Sequence, residues 1–185
     1  MLPGFAHAEW QAVEKVETYA IRGKTGIELY ESIGARGPLL DGKRRTIAHT
    51  NFKLTWSRKY EPQADGGCTL VSAVPKLTIT YTLPKPAEKL SDANRKLWDR
   101  FFAGMRDHER VHGDMIKKLV KDIETATVGM SVAGDPECVK IRAELKQRLT
   151  VLFEAYKQQN REFDRVEMSD GGNVHQLILE LVNGW

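Results

Sequence analysis

"SDANRKLWDRFFAGMRDHERVHGDMIKKLVKDI", residues 91 to 123, decides the fold. Leu97, Phe101, Met105, His108, Val111, His112, Met115, Leu119 and Ile123 recur at spacings of three and four, which lays them along one face of an α-helix. Ser91 and Asp92 offer short oxygen-bearing side chains to the first free backbone N–H groups, and Gly129 marks a stop. One long amphipathic helix is therefore predicted. After the loop "MSVAGDPE" (130–137), Val139, Ile141, Leu145, Leu149, Leu152, Phe153 and Tyr156 mark a second helix, with Asp135 as cap and Pro136 at its first position. So short a connection makes the two helices antiparallel neighbours.

Upstream, residues 9–23 alternate Val16, Thr18 and Ala20 against Glu17, Tyr19 and Ile21 before Gly23, a strand pattern. Ile27, Tyr30 and Ile33 follow Thr25 at helical spacing, and Gly34, Gly37 and Pro38 end that short helix. Residues 46–60 and 68–83 are rich in Thr, Val, Ile and aromatics and flank the turn-forming "EPQADGG", so they read as an antiparallel hairpin. Pro75 points to an edge or a bulge, and "LPKPAEKLSD" (83–92) reads as a linker. In the tail, Gly171 and Gly172 break the chain before an apolar segment at 177–182 that packs as strand or helix. The expected class is α+β: a small antiparallel sheet, made of the N-terminal strand and the hairpin, packed against a long antiparallel helical hairpin.

Composition narrows the function. With 185 residues, 41% apolar and 29% charged, the chain is a single globular domain rather than a disordered one. The net charge of +3 is modest and its densest basic cluster, "GKRR" at 42–45, reads as a solvated loop, so nucleic acid is not implied. No apolar run reaches the length of a transmembrane segment. Ala6-x-Ala8 in "FAHA" has the form of a signal-peptidase site, which makes residues 1–8 a leader remnant and 9–185 the domain. In an exported protein Cys68 and Cys138 suggest a disulfide; in the cytosol they would be thiols.

The chemistry sits in "HERVH", residues 108–112. Residues four apart share a helix face, so His108 and His112 can turn ring nitrogens toward one ion. Glu109, one step round, can take the proton of a water beside the metal and pass it to a leaving amine. A chance His-Glu-x-x-His is expected roughly 0.01 times at this composition. Both histidines fall on the apolar stripe, where a buried imidazole needs a partner. Gly113 lowers helix propensity and fits a place where another segment comes close. A catalytic zinc takes three protein ligands and keeps one position open. The continuation with a glycine and a third histidine close behind is absent, which excludes the metzincin class. The third ligand is then Glu137 or Glu144 from the second helix or, preferred here, His175 in "DGGNVHQ". His7 and His49 are assigned structural or surface roles, and Tyr156 and Arg161 are candidate oxyanion donors.

The chain also resembles a bacterial family, domain of unknown function 922, described as predicted secreted zinc-dependent proteases. The resemblance rests on "YAIRG" (19–23), Gly37-Pro38, Ala48 and Thr50 ahead of Trp56, Cys68, Leu83-Pro84, Trp98 and "HERVH", in that order. Phe163-Asp164 and "NVHQ" (173–176) are similar to its closing segments, although Asn173 and Gln176 depart from the pattern. The resemblance implies a minimal zincin-like peptidase outside the cytoplasm, acting on a peptide or protein, with zinc held by His108, His112 and His175. It also favours the disulfide and makes Asp164 a carboxylate that orients a histidine. The competing reading is a non-catalytic envelope interaction protein whose metal site is structural or vestigial.

Overall fold

In a computed structural model, residues 10–40 and 42–184 are described. The leader reading at residues 1–8, His7 included, lies outside them. The order is β1 (Val13–Ile21), α1 (Gly26–Arg36), β2 (Leu39–Leu40), β3 (Arg44–Arg45), β4 (His49–Pro62), β5 (Cys68–Pro86), α2 (Asp92–Thr127), β6 (Ser131–Val132), α3 (Lys140–Met168) and α4 (Asn173–Asn183). The class is α+β.

The sheet is mixed rather than antiparallel, which corrects the expectation for the N-terminal strand. Its order is β1-β5-β4; β4 and β5 form the antiparallel hairpin, whereas β1 lies parallel to β5. The cause is the connection: α1, the β2–β3 ribbon and all of β4 intervene between β1 and β5, long enough for the crossover a parallel pair requires. Along β5, β4 pairs Cys68 to Thr82, β1 pairs Thr78 to Pro86 and β6 pairs Cys68 and Thr69, so β1 and β4 flank β5 together only from Thr78 to Thr82. Pro75, Pro84 and Pro86 all lie outside that window, where a missing N–H disturbs a single pairing at most. The edge expected at Pro75 is thus local, and the bulge falls at Lys59/Tyr60. Residues 84–86, expected in a linker, are instead strand.

Ser91 caps α2 as the sequence indicates, accepting from the Asn94 backbone N–H. Its buried arc is wider than one stripe and turns toward Trp98, Ile116 and Val120, leaving Val111 exposed. The reason is that α2 packs on two sides, against the sheet and against α3 and α4. Arg148 of α3 reaches the Ala126 carbonyl while Asn160 meets His112, which makes α2 and α3 antiparallel. The start of α3 is four residues later than expected. Asp135 still caps it, accepting from the Val139, Lys140 and Ile141 N–H groups, but across a turn that holds Pro136 and the left-handed Cys138. Burial opposes ionisation of that carboxyl, and the three N–H donors outweigh it and lower its pKa.

Cys68 and Cys138 are bridged, joining the start of β5 to the entry of α3 across 70 residues. In the chain-entropy picture a loop of that size contributes about 4 kcal/mol. In α1, Thr25 and Glu28 form a capping box, and the buried residues are Gly26, Leu29 and Ile33, with Ile27 outward. The 177–182 segment is helix, part of α4, whose Val174 and Leu181 are buried. Gly26 lets α4 in: a Cβ there would lie 1.8 Å from the Leu181 carbonyl oxygen.

The core runs along α2 in blocks. Trp98, Phe101 and Met105 join Ile21, Leu29, Leu83 and Leu181 at one end, and Ile116 and Val120 join Leu77, Ile79 and Tyr81 further on. Buried between these blocks are His108, Glu109 and His112. A Cβ on Gly113 would lie 2.0 Å from the Tyr81 hydroxyl oxygen, which itself donates to Glu14, so the close approach expected at this glycine is real. Gly113→Ala is expected to destabilise by about 2 kcal/mol through overpacking. By calorimetry that is a melting-point loss of roughly 4–8 °C, part of which Tyr81→Phe should recover.

Candidate metal centre

Two elements build the centre. α2 supplies His108 and His112, one turn apart on its buried face, and α3 supplies Asp164 opposite them. His108 Nε2 and His112 Nε2 are 3.2 Å apart, and Asp164 Oδ1 lies 3.4 Å from the first and 2.9 Å from the second. Nitrogen and oxygen ligands about 2.0–2.1 Å from a tetrahedral zinc are separated by roughly 3.3 Å. The three observed separations match one face of such a tetrahedron.

The hydrogen bonds behind these atoms fix their chemistry. Asn160 Nδ2 donates to the Tyr156 carbonyl at 2.8 Å, which turns Asn160 Oδ1 toward His112 Nδ1, 2.6 Å away. An amide oxygen only accepts, so Nδ1 carries the hydrogen and Nε2 of neutral His112 presents a lone pair. That lone pair faces a carboxylate oxygen and a second imidazole nitrogen. Three atoms able to bind a metal thus converge on one point, where a proton or a metal cation must lie among them. Buried His108 Nδ1 has no hydrogen-bond partner among the described residues; Glu167 Oε2 lies 3.6 Å away. Phe163 stacks on the His108 ring at 4.7 Å and meets His112 edge-on, holding both rings in place.

Without a metal, protons occupy this point. Burial opposes charge on His112, but hydrogen bonds to Asp164 and Asn160 outweigh it and raise its pKa above the ordinary 6.5. Burial likewise favours the neutral form of Asp164, and hydrogen bonds from His108 and His112 outweigh it, holding the carboxyl well below its ordinary 3.8.

Glu109 is buried beside the ligands, and Thr50 at the start of β4 donates to its carboxylate. The sheet therefore orients the acid while α2 and α3 hold the ligand atoms. Histidines, Glu109 and Asp164 line one open cleft of about 860 Å³. Tyr156, Arg161 and His49 line it too, so His49 faces the cleft rather than a remote surface. His175 is not in the converging group: its Nδ1 accepts from the Gly171 N–H in the first turn of α4, and Asp164 stands where a third ligand was sought. Glu137 is exposed beside the disulfide, and Glu144 pairs with Arg148 near the start of α3. Thr50, Asn160 and Glu167 were not assigned roles from the sequence. The available signal was the pair Asn160 and Asp164, four apart on α3, interrupting the face that Phe153 and Tyr156 begin.

Asn160→Ala is expected to weaken divalent-metal affinity about 10- to 100-fold by freeing the His112 tautomer, read by competition with a chromophoric chelator. The signs of the pH dependence follow from the two shifts. Stability from charged His112 is present below pH 6.5 and is lost as pH rises through its raised value, whereas stability from ionised Asp164 is present above 3.8 and is lost as pH falls. The metal-free protein therefore gains most between these values. A metal must displace the His112 proton, so its affinity is expected to fall as pH is lowered, beginning above 6.5.

No curated protein and no solved structure matches the chain. A family model described as a bacterial protein of unknown function (DUF922) matches residues 16–172, a stretch that runs from β1 to the loop before α4 and includes every residue of the converging group. By that match over most of its length, the chain belongs to this bacterial family of unknown function.

Proposed function

We propose that this protein is a zinc-dependent peptide-bond hydrolase working outside the cytoplasm, with His108, His112 and Asp164 as metal ligands and Glu109 as general base. The observation that carries the reading is the convergence of three potential ligand atoms, spaced 2.9–3.4 Å apart, in the lining of an open cleft. Two imidazoles and a carboxylate are the donor set of a catalytic rather than a structural zinc site, which would take four protein ligands. When bound, the ion supplies Lewis-acid polarisation of the scissile carbonyl and acidification of a water.

The chain's own residues supply the rest. Glu109, held by Thr50, accepts the proton of the attacking water and returns it to the leaving amine. Asn160 keeps the Nε2 lone pair of His112 available. Tyr156, which lines the cleft, would donate a hydrogen bond to the tetrahedral oxyanion. Burial raises the Tyr156 pKa, which keeps its hydroxyl protonated at neutral pH. The sheet packed on the histidine-bearing helix supports a minimal zincin-like reading, and the Cys68–Cys138 bridge supports export, since such bonds persist in oxidising compartments.

Glu109→Gln is expected to keep the metal and lower hydrolysis of an unfolded protein substrate by about 10²- to 10⁴-fold. Undiminished cleavage by that variant, or none by the zinc-loaded protein on any peptide, would contradict the proposal.

A further inference from the structure

The cleft carries an excess of one charge. Arg44 and Arg45 of β3 line it from one element, and Lys157, Arg161 and Arg165, at i, i+4 and i+8 on α3, line it from another. Among the described residues the acids in the lining are Glu109 and Asp164, both part of the centre. Lys157 and Arg165 pair with Glu154 and Glu162 on the flank of α3. The other three form no ion pair with a carboxylate among the described residues. Arg161 donates to the neutral Gln158 amide, Arg45 to the Gly37 carbonyl, and Arg44 makes no ion pair among the described residues. Cations gathered along a concave surface without counter-charge focus a positive field into it and draw in anions. A bound dication would add to that field.

We propose that the cleft selects acidic peptide segments, with Arg44, Arg45 and Arg161 receiving the substrate's carboxylates. Guanidinium forks suit this, because each can hold a carboxylate through two parallel N–H donors. A nucleic acid is disfavoured because phosphate binding needs an extended basic surface, and the chain's net charge is only +3. The inference rests on taking the cleft of the proposed hydrolase as its substrate site.

The test uses the full chain as Glu109→Gln with zinc present, so that binding is read without turnover. Fluorescence anisotropy compares labelled peptides of equal length, one alternating Glu and Ala and the other Lys and Ala, with a single-stranded DNA of matching length. The Glu peptide is expected to bind at least about tenfold tighter than the Lys peptide and to weaken as salt is raised. Adding Arg44→Ala and Arg161→Ala, both at exposed positions, should weaken the Glu peptide about tenfold with the melting point and zinc content unchanged. Arg44→Lys with Arg161→Lys, which keeps the charge but not the fork, should lose less affinity than the alanine variant and keep the salt dependence. Equal binding of the two peptides, preference for the Lys peptide, tighter binding of the DNA, or an unaffected alanine variant overturns the inference. Selective binding of the Glu peptide by a protein whose wild type cleaves nothing would uphold it and remove the hydrolase reading instead.

Discussion

Two imidazole nitrogens 3.2 Å apart and a carboxylate oxygen within 3.4 Å of both share so small a space only with a proton or a metal ion among them. Much of the surrounding structure serves to keep them there. Asn160 fixes one ring from behind, its own amide oriented by a backbone carbonyl, so the constraint passes from the α3 main chain to the lone pair of His112. Phe163, next to Asp164, clamps both rings. One face of α3 therefore supplies a candidate ligand, a tautomer lock and a packing surface.

That face must be held in register with α2, and the frame accomplishes this far from the chemistry. The disulfide ties the beginning of β5 to the entry of α3, and Asp135 gathers the first free N–H groups of the helix beside it. At the other end α4 lies against α1 and α2, with Leu181 entering the space that Gly26 leaves open. Between these anchors the apolar packing on α2 is interrupted by His108, Glu109 and His112. An interruption of this kind costs stability and is sustained where the polar residues have partners. Here the sheet supplies one through Thr50 and α3 supplies the others.

The long helix, its Ser91 cap, the hairpin, the close approach at Gly113 and the pair His108 and His112 were legible in the sequence because each depends on local pattern: periodicity, cap chemistry, turn residues and i, i+4 spacing. What was not legible depends on tertiary placement. The parallel pairing of β1 follows from where a long crossover returns, and no alternation pattern encodes that. Strand at Pro84 and Pro86 was hidden because tolerance of proline depends on which flank is paired. Asp164 was visible as a carboxylate near a histidine, yet its convergence with both rings needs the register of two antiparallel helices. His175 had the right residue type and followed two glycines, but it lies in the first turn of α4, outside the converging group, with its Nδ1 accepting from the Gly171 N–H.

The most direct test is the metal content of purified protein exposed to zinc and then desalted, for wild type, Asp164→Ala and His175→Ala. The account expects about one zinc per chain in wild type and in His175→Ala, and its loss in Asp164→Ala. Zinc retained by Asp164→Ala but lost by His175→Ala, or no zinc in the wild type, would contradict it.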